Sequence, residues 1–150
     1  MAKTESHPVL GPHPVIGKWP VLWRWSTVIL WMGLIFALSS ISSIETRLEP
    51  TYDFTLKKLA HVTVYGILTI FLFRALQIHI KRKGYALLTT VLVTVLYACS
   101  DEWHQTFVPG REGTLRDVVI DAVGAASMSI WLSRESLYRR ELSAAESQPK

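Results

Sequence analysis

The stretch SDEWHQTFVPGREGTLRDVVIDAVG, residues 100–124, places five of the chain's twelve acidic residues and a histidine between two strongly apolar runs. Ionisable groups at the edge of hydrocarbon are expensive, and they persist mainly where they are paired or used. The flanking runs are Tyr85 to Ser100 and Val118 to Leu132, and two more precede them, Trp25 to Ile41 and Leu59 to Ile78. Crossing about 30 Å of hydrocarbon takes about 20 apolar residues. The first two runs suffice by themselves. The last two reach full length only if the third helix continues through Phe107 and the fourth starts near Thr114, which sets the polar motif partly inside the membrane boundary. The expected fold is therefore all-α: a polytopic membrane protein, a bundle of four transmembrane helices.

Trp19, Trp23, Trp25 and Trp31 around the first run and Trp131 near the end of the last suit interfacial belts. Ala37-Leu38-Ser39 resembles a signal-peptide cleavage site, but the polar region before the run spans residues 1–24 and its flank is aromatic, so a retained anchor is expected. With 150 residues the chain is one domain, 21–133, between a disordered N-terminal tail, 1–20, and a cytoplasmic C-terminal tail, 134–150. The first tail holds a near-repeat, HPVLGP at 7–12 and HPVIGK at 13–18, and such Pro- and Gly-rich segments are commonly unstructured, as is expected of Ser143 to Lys150. The single cysteine, Cys99, excludes an internal disulfide framework and any multi-cysteine metal cluster.

Charge distribution predicts the orientation. Eleven of the sixteen basic residues fall on the two tails and the 74–83 connection, Lys81, Arg82 and Lys83 among them. The opposite side carries Arg47, Lys57, Lys58, Arg111 and Arg116, outnumbered by Glu45, Glu49, Asp53, Asp101, Glu102, Glu112, Asp117 and Asp121. By the positive-inside rule both termini and the Lys81-Arg82-Lys83 connection are cytoplasmic in a multi-pass membrane protein, and the acidic motif faces outward.

Helical spacing gathers the polar residues into stripes. Lys58, His61, Tyr65 and Thr69 form a column on the second helix; Thr90, Thr94, Tyr97, Asp101 and then His104 or Gln105 share a face of the third; Asp117, Asp121, Gly124, Ala125 and Met128 align on the fourth. Small residues on the fourth helix permit close approach. Facing one another, these stripes build an outward-opening polar pocket, with Asp121 about one turn, roughly 6 Å, deeper than Asp117. Val108-Pro109-Gly110-Arg111 reads as a type II turn that holds Arg111 at the rim near Asp101 and Glu102. Thr114 is placed to cap the fourth helix, with Asp117 completing a variant capping box.

The chemistry of the cluster admits several readings. His61, Asp101, Glu102, His104, Asp117 and Asp121 are suitable metal ligands. No His-x-x-x-His or Glu-x-x-His pair places two of them together, however, and Lys58 and Arg111 would repel a cation, so neither a metal nor a cofactor is expected. Acid–base catalysis would use His61, Glu102 or His104 as catalytic candidates, but no serine- or cysteine-centred nucleophile accompanies them, and the enzymatic reading stands second. Transport is disfavoured by the few helices and the lack of a broken-helix repeat. A purely structural reading pairs Lys58, Arg111 and Arg116 with Asp101, Glu102, Asp117 and Asp121, since burying such groups singly costs several kcal/mol.

On the KLAHVTVYGIL segment at 58–68 and SDEWHQTFVPGR at 100–111, followed by Asp117, Asp121 and Gly124, the chain resembles the VanZ-like family of small bacterial membrane proteins. The resemblance covers about Trp25 to Leu132, including Ser39-Ser40 at the end of the first helix. It implies a four-helix membrane domain, and its namesake is linked to resistance to the glycopeptide teicoplanin without remodelling of peptidoglycan precursor termini. Lys58, His61, Tyr65, Asp101, Glu102, Gln105, Pro109, Gly110, Arg111, Asp117 and Gly124 fall on the family pattern, whereas Asp121 stands where many relatives show Asn.

The leading expectation is an outward pocket that binds a lipid-linked or glycopeptide envelope component. Its ligand-binding residues would be Lys58, His61, Tyr65, Asp101, Glu102, Gln105, Arg111, Asp117 and Asp121. The partners expected are membrane lipids and such a precursor, with no nucleic acid and with oligomerisation left open. The alternative is a hydrolase or transferase acting on a lipid headgroup.

Overall fold

The computed structural model describes residues 18–41 and 50–146, which form four helices and, among the described residues, no strand. These are α1, Lys18–Ser39; α2, Pro50–Leu76; α3, Lys83–Gln105; and α4, Leu115–Glu146. Most of the 1–20 tail with its His-Pro repeat, the 42–49 connection with Glu45, Arg47 and Glu49, and residues 147–150 lie outside the described residues. Val21–Ser39, Thr55–Leu76 and Lys83–Gln105 are each long and apolar enough to cross a membrane. The fourth member of the bundle is apolar from Val118 to Leu132 but carries Arg116, Asp117 and Asp121 in its first two turns.

Helix is the form that satisfies every backbone donor and acceptor within one apolar segment, so long runs of Leu, Ile, Val and Phe become helices here regardless of β-branching. Two boundaries differ from expectation. Helix α1 starts at Lys18, inside the segment expected to be a disordered tail, with Pro20 tolerated because a first-turn residue has no intrahelical use for its N–H. Helix α4 runs on to Glu146, past Ser143, because Arg134 to Glu146 is rich in Leu, Ala, Glu and Arg, all strong helix formers.

The helices alternate in direction, as hydrogen bonds at the two ends show. At one end Arg24 Nη1 donates to Arg74 O and Lys83 Nζ to Leu132 O, at 2.8 and 2.7 Å. At the other, Ser39 bonds Asp101 and Lys58 bonds Asp117. Helix α2 is central, packing against the other three and most extensively against α4. Helix α1 touches α2 and, slightly, α3, and among the described residues it does not touch α4. Val28, Ile35, Tyr65, Leu68, Leu72, Ala75, Ala98 and Val118 make the core. Large side chains such as Ile29, Leu30, Leu92 and Leu96 point outward, as suits a surface solvated by lipid.

Two interhelical bonds hold α1 in place. Trp31 Nε1 donates to Val64 O at 2.9 Å and Tyr97 Oη to Met32 O at 2.6 Å. Trp31, grouped by sequence with the interfacial tryptophans, is thus a half-buried inter-helix donor, packed edge-on against Phe71 at 5.7 Å. An indole N–H in the apolar middle needs an acceptor, and Val64 O supplies it.

Glycine sets the α2–α4 distance. A Cβ on Gly124 would lie 2.6 Å from Val62 O, so only glycine lets the two backbones come this close. That approach brings the polar column of α2 within reach of the carboxylates of α4.

Candidate functional site

The polar column of α2 meets the acids of α3 and α4 near the end where α2 and α4 begin. Lys58 Nζ donates to Asp117 Oδ1 at 2.5 Å, and one turn deeper His61 Nδ1 lies 3.2 Å from Asp121 Oδ1. One further turn in, Tyr65 Oη donates to Asp101 Oδ2 at 3.1 Å. The same Asp101 oxygen accepts from Ser39 Oγ at 2.8 Å and Gln105 Nε2 at 3.1 Å. Three donors from three helices therefore converge on one oxygen, while Asp101 Oδ1 and Asp121 Oδ2 are buried with no hydrogen-bond partner.

Asp101, Glu102 and Asp121 are 2%, 4% and 0% exposed, so three carboxylates sit within the protein. Among the described residues the only titratable nitrogen hydrogen-bonded to any of them is that of His61. One ligand atom each from His61, Glu102 and Asp121 lie within 4.8 Å of one another. Buried charges of one sign raise the cost of one another's burial, and several kcal/mol per uncompensated ion is the usual scale.

The connection after α3 is built as its residues dictate. Arg111 N–H donates to Val108 O at 3.1 Å and Gly110 has φ 76°, the positive value that the second central position of a type II turn requires. Thr114 caps α4, its Oγ1 accepting from Asp117 N–H at 3.3 Å. The reciprocal half of the capping box is different. Thr114 N–H donates to Glu102 Oε2 of α3 at 3.0 Å, while the Asp117 carboxylate turns to Lys58. Asp is one methylene shorter than the Glu that normally reaches back, and a neighbouring helix fills the role.

Two candidate residues stand apart from this network. Arg111, expected beside Asp101 and Glu102, instead donates through Nε to Ile41 O and through Nη2 to Leu38 O, both at 3.1 Å. Leu38 O, which also accepts from Ile41 N–H, and Ile41 O just past the helix draw the guanidinium, whose charge complements the helix dipole. His104 turns to α1 as well: its ring stacks on Phe36 at 4.4 Å, and Nε2 lies 3.0 Å from Ser40 Oγ. Of the pair His104 and Gln105, it is Gln105 that bonds Asp101 and Glu102. The structure thus sets His104 against Phe36 and Ser40 at the end of α1, apart from the hydrogen bonds of Asp101 and Glu102. Ser39, a direct partner of Asp101, was legible only as part of the Ser39-Ser40 pair ending the first apolar run.

Between α1, α2 and α3 lies a cavity of about 180 Å³. Ile35, Leu38, Ala60 and Val64 form its apolar walls, and Ser39, His61, Tyr65 and Asp101 contribute polar groups, with Lys57 and Arg111 also lining it.

The sequence model of the VanZ/LLP1 family matches residues 23–134, which takes in all four helices and this entire network. The chain belongs to the VanZ/LLP1 family. Among curated proteins and among solved structures it has no significant match. With three spans apolar enough to cross, this VanZ/LLP1 protein is a membrane protein. In it the positions carried by the family resemblance divide by location. Lys58, Asp117, Glu102, Gln105, Asp101 and Tyr65 are linked by hydrogen bonds, through Thr114, and His61 pairs separately with Asp121 beside them. Pro109, Gly110 and Arg111 shape the turn and tie it to α1, and Gly124 sets the helix spacing. Chemically the arrangement offers cations at a cavity lined by apolar carbon, hydrogen-bonding groups within it, and an imidazole–carboxylate pair beside it.

Proposed function

We propose that this VanZ/LLP1 protein binds the polar headgroup of an envelope lipid, such as a lipid-linked precursor, in the cavity between α1, α2 and α3. The single observation carrying this reading is the cavity's mixed lining: Lys57 and Arg111 beside aliphatic walls, with Ser39, His61, Tyr65 and Asp101 inside. Anionic groups of an amphiphile would meet Arg111 and Lys57, sugars or amides would bond the polar residues, and the chain would follow the apolar wall. About 180 Å³ admits a phosphate or one sugar of such a headgroup, with the rest outside, since drug-sized ligands commonly occupy about 300–1,000 Å³. An effect on susceptibility to teicoplanin-type glycopeptides would therefore run through the lipid that such antibiotics or their targets engage. Native mass spectrometry of detergent-purified protein is expected to show a retained anionic lipid, lost in Lys57→Ala/Arg111→Ala while the protein stays folded. Equal retention by the variant would remove the proposal.

The proposal places the protein in the bacterial inner membrane as a multi-pass protein, both termini cytoplasmic and the cavity facing outward, in keeping with the basic tails and 74–83 connection. Glu112→Cys in a Cys99→Ser background should react with a membrane-impermeant maleimide on intact spheroplasts. Reaction only after the membrane is opened would reverse the topology.

A second reading is favoured by one contact, His61 Nδ1 at 3.2 Å from Asp121 Oδ1 with Glu102 alongside. An imidazole oriented by a carboxylate, near a second carboxyl group, is the arrangement of a base and an acid for headgroup hydrolysis or transfer. That reading predicts turnover of an envelope lipid by purified protein, and its loss in His61→Ala with binding intact; loss of binding in that variant supports the receptor-like reading.

A further inference from the structure

We propose that His61, Glu102 and Asp121 form a divalent-cation site at the junction of α2, α3 and α4, taking Mn²⁺ or Zn²⁺. The three residues come from different helices, so no local sequence spacing announces them. Their ligand atoms lie within 4.8 Å of one another, and both carboxylates are almost fully buried. Metal–ligand bonds of about 2.0–2.2 Å in a tetrahedral site set donors about 3.4 Å apart, so closing on an ion asks the widest of these separations to shrink by at most about 1.4 Å.

An independent observation points to a ligand. Asp121 is 0% exposed, yet among the described residues its Oδ2 has no hydrogen-bond partner, and neither has Oδ1 of the buried Asp101. Buried carboxylate oxygens are ordinarily satisfied, and orphaned ones in a cluster of like charge ask for a cation. Lys58 ion-pairs with Asp117, one turn closer to the helix start, and Arg111 donates to Leu38 O and Ile41 O at the end of α1. The donor set selects the ion: one imidazole with two carboxylates suits Mn²⁺ or Zn²⁺, whereas Ca²⁺ takes six to eight oxygens and Mg²⁺ keeps most of its water. In the apo protein the His61–Asp121 contact holds the imidazole against α4, and the ion takes over this tie.

The test uses full-length protein in detergent, stripped with chelator and titrated with Mn²⁺, Zn²⁺, Ca²⁺ and Mg²⁺. Binding is read by calorimetry and elemental analysis, and folding by thermal melting. The expected result is one Mn²⁺ or Zn²⁺ per chain with a raised melting temperature. Affinity should fall about tenfold or more in His61→Asn and in Glu102→Gln. Glu102→Gln retains an acceptor for Thr114 N–H, so it separates ligand loss from unfolding of the cap. Glu112→Gln, at an exposed acid outside the triad, should bind as the parent does. Absence of stoichiometric binding by folded parent protein overturns the proposal, as does a preference for Ca²⁺ or Mg²⁺, or unchanged affinity in a folded His61→Asn variant. None of these outcomes depends on whether the cavity holds a lipid.

Discussion

Gly124→Ala is expected to dismantle the bundle, lowering stability by about 3 kcal/mol or more, the upper end of what overpacking costs. The added carbon would lie 2.6 Å from Val62 O and 3.1 Å from Val62 Cα, and both are backbone atoms that no rotamer change can move. Relief requires α2 and α4 to separate along the most extensive helix contact of the fold. Separation would break Lys58–Asp117 and His61–Asp121 together, so packing and polar ties fail as one unit. Gly33→Ala is the matched control. A Cβ there meets nothing within 4 Å, and alanine is the better helix former, so that variant should be neutral or slightly more stable. Thermal melting in detergent, followed by size-exclusion fluorescence, compares them; equal midpoints would mean that the α2–α4 spacing is not limiting.

The second large effect concerns Asp101. Alanine at this position leaves the donors of Ser39, Tyr65 and Gln105 without their shared acceptor, in a site where Tyr65 is fully buried. At about 1–3 kcal/mol for each buried donor orphaned, a loss of about 4 kcal/mol or more is expected. Asparagine is different. Its carbonyl can occupy the Oδ2 position and keep all three bonds, while its amide sets a donor without an acceptor at the Oδ1 position. Asp101→Asn should therefore cost about 1–3 kcal/mol, less than alanine, and remain folded while losing a charge from the cavity lining. If lipid retention and any cellular phenotype vanish in the folded Asn variant, the cluster is a site. Equal melting of the Ala and Asn variants would show instead that the charge, and not the acceptor, holds the helices.

Much of this architecture is legible in the residues themselves, for identifiable reasons. The helices announce themselves because apolar runs have no other solution in hydrocarbon, and the 108–111 turn does so because Pro109 and Gly110 constrain φ in complementary ways. The column Lys58, His61, Tyr65 follows from helical periodicity, and each member does meet an acid. What escaped has equally physical causes. Arg111 reaches backbone carbonyls of α1, and carbonyls carry no residue identity for a sequence to display. His104 and Gln105 are adjacent at the end of α3, where a stripe can pass to either side; the packing of Phe36 against His104 decides. Glu102 serves α4 as a cap across a nine-residue connection, beyond the local window in which capping patterns are recognisable. Trp31 looks like every other tryptophan near a membrane edge until Val64 O is beside it. The length of α4 was obscured by charge, which marks where a helix leaves hydrocarbon but not where it ends.

Helix α1 leans on α2 with little contact to α3 and, among the described residues, none to α4, yet it supplies one wall of the cavity. Its polar attachments are Arg24 to Arg74 O, Trp25 to His79, Trp31 to Val64 O, Tyr97 to Met32 O, Ser39 to Asp101 and the Arg111 clasp at its end, beside core contacts of Val28 and Ile35. If the proposed lipid occupies this cavity, α1 is the wall with the least helix contact, and an acyl chain would enter beside it without leaving the lipid phase.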